Sequence, residues 1–395
     1  MNHAQFRFCR GLAIVLAAAL PIWAQDAGDS LQSAHLPIRV LTGPGINAST
    51  PSGYTPAQML TAYGFNLIDN QGAGQTIALV DAYDDANIEA DLGVFDTQFG
   101  LPACTTANGC FTKIYASGTQ PPGNANWALE MSLDVEWAHA IAPQAKIMLV
   151  EAASQSVSAL LGAVSVAVHH GARVVSMSFG FNEFSTEANA DKAFQAAGVT
   201  YVASSGDTGH GVFYPAASPY VVGVGGTSLT LGSNGAWESE TAWACGSPII
   251  CSLLGGSGGG QSAYEPEPSY QEGVQTSGKR GVPDVAYDAN PSTGVPIYDS
   301  GQSGWVEIGG TSMGSPQWAA LFAIANSMRV ANHKRTLTQP QALLYAAAEG
   351  DYHDITSGKN GNCGALCTAG PGYDYVTGVG SPFANLLIPA LVAAP

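Results

Sequence analysis

QTIALVDAY, residues 75–83, is the stretch on which the fold turns. It is apolar without a break from Ile77 to Val80, as a strand covered on both faces must be. The same unit recurs outward from it. A helical period near 86–98 follows, and a second helix, NWALEMSLDVEWAHAIA (126–142), leads into the strand KIMLVEA (146–152). A helix near 155–170 precedes ARVVSMSFG (172–180), and one near 186–197 precedes VTYVASSGD (199–207). Continuous apolar strands alternating with helices predict an α/β fold: a mostly parallel central sheet with helices on both faces.

Composition narrows the function. The 395 residues carry 13 Lys+Arg against 30 Asp+Glu, a formal charge of −17, yet only 11% are charged. About 25% is usual. With 46% hydrophobic residues the chain can build a large core, which excludes a disordered chain. No basic stripe exists to neutralise phosphates, so nucleic acid is excluded as a partner. The expectation is an acidic surface poor in ions, suited to a medium where carboxylates are protonated.

Residues 1–24 read as a secretory signal: Arg7 and Arg10, an apolar run from Leu12 to Leu20, and a cleavage position after Ala24. The run is too short to span a bilayer, and nothing later reaches the ~20 residues required. The expected product is secreted, extracellular or periplasmic, with no membrane contact after cleavage. Cys9 leaves with the signal. The other six cysteines fall into local pairs, Cys104/Cys110, Cys245/Cys251 and Cys363/Cys367, which suit three small disulfide staples. Zinc spacing of the Cys-x2-Cys type with His partners is missing. The Gly/Pro-rich stretch 245–310, with GGSGGG at 255–260, reads as long surface loops, after which SPQWAALFAIANSMR (315–329) restores a helix.

Three places carry chemistry. In GGTSMGSP (309–316) a Gly/Ser-rich turn opens a helix, which exposes a hydroxyl beside a helix end that favours negative charge. Ser312 there suits a nucleophile. Its base is not histidine, because no His-Gly-x-His arrangement exists. Glu130 and Asp134, four residues apart, share one helix face among Trp127, Leu129, Met131, Leu133 and Trp137, so their proton affinities are perturbed or they share a proton. Asp207, in SSGDTG (204–209) at the carboxyl end of a strand, can donate to a developing oxyanion when protonated. Further on, Gly370, Gly372 and Asp374 alternate in AGPGYD, preceded by Asp354 and Ile355. Two carboxylates with main-chain oxygens suit a hard cation such as calcium.

Glu130 with Asp134, then Asp207, then GGTSMGSP resemble the sedolisin family, the serine-carboxyl peptidases with a subtilisin-like fold. The likeness runs from about Gly53 to Pro382 and takes in SGGGQS (257–262), PDVAYDANPSTGV (283–295) and DITSGKNG (354–361). It implies Ser312 as nucleophile, Glu130 as general base, Asp134 as its orienting partner and Asp207 in the oxyanion hole. It also implies one structural calcium ion on Asp354, Ile355, Gly370, Gly372 and Asp374. The organisation expected is a signal (1–24), an N-terminal arm without a long prosegment (25–52), and a peptidase domain (53–395), monomeric, acting on proteins or peptides. Reference proton affinities put the working range at roughly pH 3–5. Asp81, on the first strand, is a second-tier candidate. Phe179 stands where one branch of the family carries a Trp. The alternative reading is a catalytically silent binding protein of the same fold.

Overall fold

The computed structural model describes residues 32–41, 49–244 and 255–395; the expected signal and the pair Cys245/Cys251 lie outside them. The chain begins there with β1 (Arg39–Val40) and α1 (Pro56–Ala62), then alternates β2 (Thr76–Ala82), α2 (Ile88–Phe99), β3 (Phe111–Tyr115), α3 (Ala125–Ile141), β4 (Lys146–Ala152), α4 (Val157–His169) and β5 (Val174–Met177). Next come β6 (Phe181–Asn182), α5 (Glu187–Ala190), β7 (Thr200–Ser204), β8 (Phe213–Tyr214), β9 (Val222–Leu231) and β10 (Trp237–Ala242). The last third holds β11 (Gly260–Pro266), β12 (Lys279–Val282), β13 (Val285–Asp288), β14 (Val295–Asp299), β15 (Gly304–Gly309) and α6 (Gly314–Ala331).

Among the described residues eight strands form the central sheet, in the order β10-β9-β7-β5-β2-β4-β3, with β13 also on β9. Every pairing is parallel except β10 with β9. The strand at 75–83 sits near the middle, fully buried from Ile77 to Ala82, so its apolar run meets helices above and below. α3 and α6 pack together on one face and α4 on the other. The α/β, mostly parallel architecture is therefore as the sequence predicts.

α3 starts where Asn124 Oδ1 accepts the amides of Asn126 (3.0 Å) and Trp127 (3.3 Å), satisfying two of the free donors at the helix end. From Leu129 to Ile141 the whole helix is buried, Glu130, Ser132, Asp134 and Glu136 included. A helix with no wet face carries its polar residues for a purpose other than solvation. α6 is likewise covered, and Ser315 near its start bonds Ser176 of β5 (Oγ–Oγ 2.8 Å).

Three expectations are corrected. The helix expected over 186–197 is a single turn, α5, continued as a 3-10 turn at Asp191–Phe194. Glu187 and Asp191 are buried and bond outside the stretch, to Phe184 N (2.9 Å) and Tyr214 Oη (3.3 Å), so tertiary partners override the local period. The stretch 255–310 holds five strands, β11 to β15, between its loops, and 255–260 is buried. Its glycines serve close backbone approach: a Cβ on Gly258 would lie 2.2 Å from Ser205 O, and one on Gly259 would lie 2.1 Å from Tyr375 O. Finally, the acids are not mainly at the surface. Among the described residues eighteen Asp and Glu side chains are buried. Two of the expected disulfides, Cys104–Cys110 and Cys363–Cys367, are formed.

Candidate active site

The carboxyl ends of the central strands gather the chemistry, as expected of an open parallel sheet. Asp81 lies near the end of β2, and Ser178 follows β5. Asp207 follows β7, and α3 lays Glu130 and Asp134 across that end. Ser312 occupies a 3-10 turn, Thr311–Met313, between β15 and α6. Gly310 before it has φ 116°, where a side chain would be strained; a Cβ there would also come within 2.7 Å of Asp207 Oδ2. All five predicted residues are brought together and buried, with Asp207 only 3% exposed and the others 0%.

Their proton affinities follow from that burial. Glu130 is pushed well above the usual carboxylate range by desolvation, then by repulsion from Asp134, with Asp81 and Asp207 adding to it; the Ser312 hydroxyl opposes the shift. Asp81 is pushed up by desolvation and by Asp134. Asp134 is raised to about 8 by desolvation, against the bond that Ser178 Oγ donates to its Oδ1 (2.7 Å). Both Glu130 oxygens, both Asp81 oxygens, Asp134 Oδ2 and Ser312 Oγ have no partner of ordinary hydrogen-bond geometry. Such a group is tolerable only if it shares protons internally, so the three acids titrate as a unit.

Asp207 is held differently. Its Oδ1 accepts from the Thr311 amide (2.8 Å) and the Thr311 hydroxyl (2.9 Å), and Thr311 Oγ1 in turn receives the Gly206 amide (3.0 Å). Desolvation raises it to about 6, the Thr311 amide, Arg39 and the Thr311 hydroxyl pulling the other way. With Oδ1 doubly occupied, a proton on Asp207 resides on Oδ2, the oxygen that faces Gly310. Ser178 and Thr311 are functional-site residues that the sequence reading missed. Thr311 was within reach as the neighbour of Ser312, whereas Ser178 had no signal beyond ending a strand.

The predicted cation ligands lie elsewhere, in the loops between β13 and the C-terminus. Asp374 accepts the amides of Gly370 (3.0 Å), Val376 (2.8 Å) and Thr377 (2.9 Å), and Asp354 Oδ2 accepts that of Gly372 (3.0 Å). Both carboxylates thus grip one short loop. Among the described residues the carbonyl oxygens of Ile355, Gly370 and Gly372 receive no hydrogen bond from the protein. An all-oxygen set with three free carbonyls fits a hard cation.

Comparison with known proteins gives the family. Residues 114–370 match the model of the subtilase family. Kumamolisin of Bacillus sp. (strain MN-32) is 36% identical over 87% of this chain and 65% of its own length. Sedolisin of Pseudomonas sp. (strain 101) is 32% identical over 85% and 60%.

The chain belongs to the subtilase family, in its sedolisin branch.

The fold agrees as well. A solved Pseudomonas sedolisin, described as a serine-carboxyl proteinase complexed with two molecules of pseudo-iodotyrostatin, superposes with a TM-score of 0.75 at 29% identity, covering 86% of this chain and 98% of that one. This sedolisin-branch chain spans less than two thirds of the length of the two curated relatives. Its fold is subtilisin-like. Among the described residues no helix is long and apolar enough to cross a membrane.

Proposed function

We propose that the chain is an acid-acting serine-carboxyl peptidase that hydrolyses peptide bonds through an acyl-enzyme on Ser312. In this reading Ser312 Oγ adds to the substrate carbonyl carbon as its proton passes to Glu130. The amine leaves with that proton, and water, activated by the same carboxylate, releases the acid product. Asp134, steadied by Ser178, shares a proton with Glu130 and keeps it available as a base. The negative oxygen is held by the Ser312 amide and by a protonated Asp207 Oδ2. The observation that carries the reading is Asp207 with Oδ1 doubly occupied and Oδ2 without a hydrogen bond among the described residues. An ionised carboxylate there would repel an oxyanion, so the group is useful only as an acid. Secretion into an acidic medium, through cleavage of residues 1–24, accords with that need. A calcium ion on Asp354, Ile355, Gly370, Gly372 and Asp374 would supply charge neutralisation and tie the C-terminal loops; these residues bind and do not react.

Peptide-library digestion between pH 3 and 8, with mass analysis of the products, tests the reading. Cleavage peaking in acid and abolished by Ser312→Ala supports it; a peak near neutrality removes the acid mechanism. A folded wild type that cuts nothing favours the catalytically silent binding protein. Product lengths separate internal cleavage from release of tripeptides.

A further inference from the structure

Thr311 holds the carboxyl group of Asp207, while the buried glycine segment 255–260 holds its main chain. The Gly256 amide donates to Asp207 O (3.1 Å) and the Gly258 amide to Gly206 O (2.6 Å). In return Gly256 O accepts the Gly209 amide (2.9 Å), and Gly258 O accepts the Ser205 hydroxyl (3.0 Å). Further on, Gly211 and Gly259 exchange both backbone bonds, at 2.9 and 2.8 Å. Residues 205–211 are thus laced to this segment along their length. They depend on it, because Gly206, at φ 109°, brings no stiffness of its own to the place of Asp207.

The glycine segment must itself be held, and five of its six residues have no side chain to pack. The sixth is Ser257, which is 0% exposed. Its hydroxyl accepts the Gly226 amide of β9 (2.8 Å) and donates toward Val376 O (3.0 Å) and Gly258 O (3.1 Å). Asn360 Nδ2 adds a bond to Ser257 O (2.9 Å). Val376 belongs to the loop gripped by Asp374, whose Oδ1 holds its amide (2.8 Å). One hydroxyl therefore pins the segment between the central sheet and the C-terminal loop. It does so one residue from each of the two amides that hold Asp207 and Gly206. None of its bonds goes to Ser312, Glu130 or Asp134.

We infer that Ser257 is a positioning residue for Asp207: by setting the register of the glycine segment it fixes where that carboxyl group stands beside the Ser312 turn. This rests on the peptidase reading and goes beyond it, to the group that aligns the second oxyanion donor. The demand is strict. A catalytic group must be held within about 0.5 Å of its place, and a displacement of about 1 Å can cost about a hundredfold in rate. Without the hydroxyl the Gly226 amide and the Val376 carbonyl lose this partner, the segment can shift along β9, and the Asp207 main chain shifts with it.

The test compares wild type, Ser257→Ala and Ser327→Ala. The last removes a buried hydroxyl bond elsewhere, from Ser327 Oγ in α6 to Ala73 O (2.8 Å), and controls for lost stability. Oxyanion stabilisation acts after substrate has bound. With a fluorogenic peptide chosen from the library, Ser257→Ala is therefore expected to lower kcat at pH 4 by about tenfold to a hundredfold, with KM within about twofold of wild type. Ser327→Ala is expected to keep both values. An unchanged kcat in Ser257→Ala, or a fall that Ser327→Ala matches, would overturn the assignment even while the enzyme cuts library peptides. Should wild type cut nothing, the peptidase reading fails separately, and hydrogen exchange decides on the positioning. Faster exchange of 205–209 in Ser257→Ala than in the other two chains supports it, and equal exchange sinks it. If Ser257→Ala does not fold, Ser205→Ala, which removes the bond to Gly258 O, loosens the same segment; an unchanged kcat there overturns the role of the segment and of Ser257 with it.

Discussion

Thr311→Val separates what Thr311 does for the fold from what it does for Asp207. Its hydroxyl receives the Gly206 amide and donates to Asp207 Oδ1, and valine keeps the shape while removing both bonds. The Gly206 amide, buried, then has no acceptor, which costs about 1–3 kcal/mol and lowers the melting temperature by a few degrees. The effect on Asp207 has the opposite sign for function. The hydroxyl bond favours the charged carboxylate, so its loss raises the proton affinity further. A hydrogen bond to a charged group is worth about 1.5–3 kcal/mol, and one pKa unit is about 1.4 kcal/mol. An upward move of about one unit follows, from about 6 toward 7. The variant should therefore be less stable yet keep kcat/KM to higher pH, the alkaline limb moving up by about one unit. Thermal melting at pH 4 and a pH profile of kcat/KM read the two effects. A lower melting temperature with the limb unmoved, or moved toward acid, would refute Asp207 as the group that sets it.

The fold itself should prefer acid. Asp81, Glu130 and Asp134 are all raised, so the native chain keeps protons that the unfolded chain gives up near pH 4. Their stabilising contribution is full below that pH and is lost as pH rises toward about 8; Asp207 alone amounts to about 3 kcal/mol. Melting followed from pH 3 to 8 should decline above about pH 5, and a maximum at pH 7–8 would contradict the burial argument. Asp81→Asn should leave the melting temperature unchanged at pH 4 and raise it at pH 8, since it removes a buried group that resists ionisation; a fall at both values would show that Asp81 packs rather than titrates. Chelation should lower the melting temperature, because a ligand at 100 times its Kd contributes about 2.7 kcal/mol. Asp374→Ala should abolish the response to added calcium; an unchanged response would place the ion elsewhere.

How much of this was legible depends on where each residue's meaning resides. Glu130 and Asp134 announce themselves, because like charges four apart among tryptophans and leucines have no local justification. Asp207 follows from the strand before it. Ser178 and Thr311 acquire their roles from partners 44 and 104 positions away, and serines and threonines at strand ends are common. The glycine-rich 255–260 misleads because a linker and a buried strand edge share one composition; the difference is the backbone lying against each Cα. The place of the N-terminal arm is hidden in the sequence for a similar reason. Two residues of strand and a few backbone bonds leave no period, and its one telling side chain, Arg39, means nothing until Asp207 is placed beside it.

The scarcity of cations links these observations. Removing a carboxylate from water without a partner raises its proton affinity, and among the described residues no cation acts on the Asp81, Glu130 and Asp134 group. Asp207 has Arg39, and it is raised only to about 6 where Asp134 reaches about 8. On acidification the inner acids therefore take up their protons first and Asp207 last, so the second oxyanion donor appears at the final step.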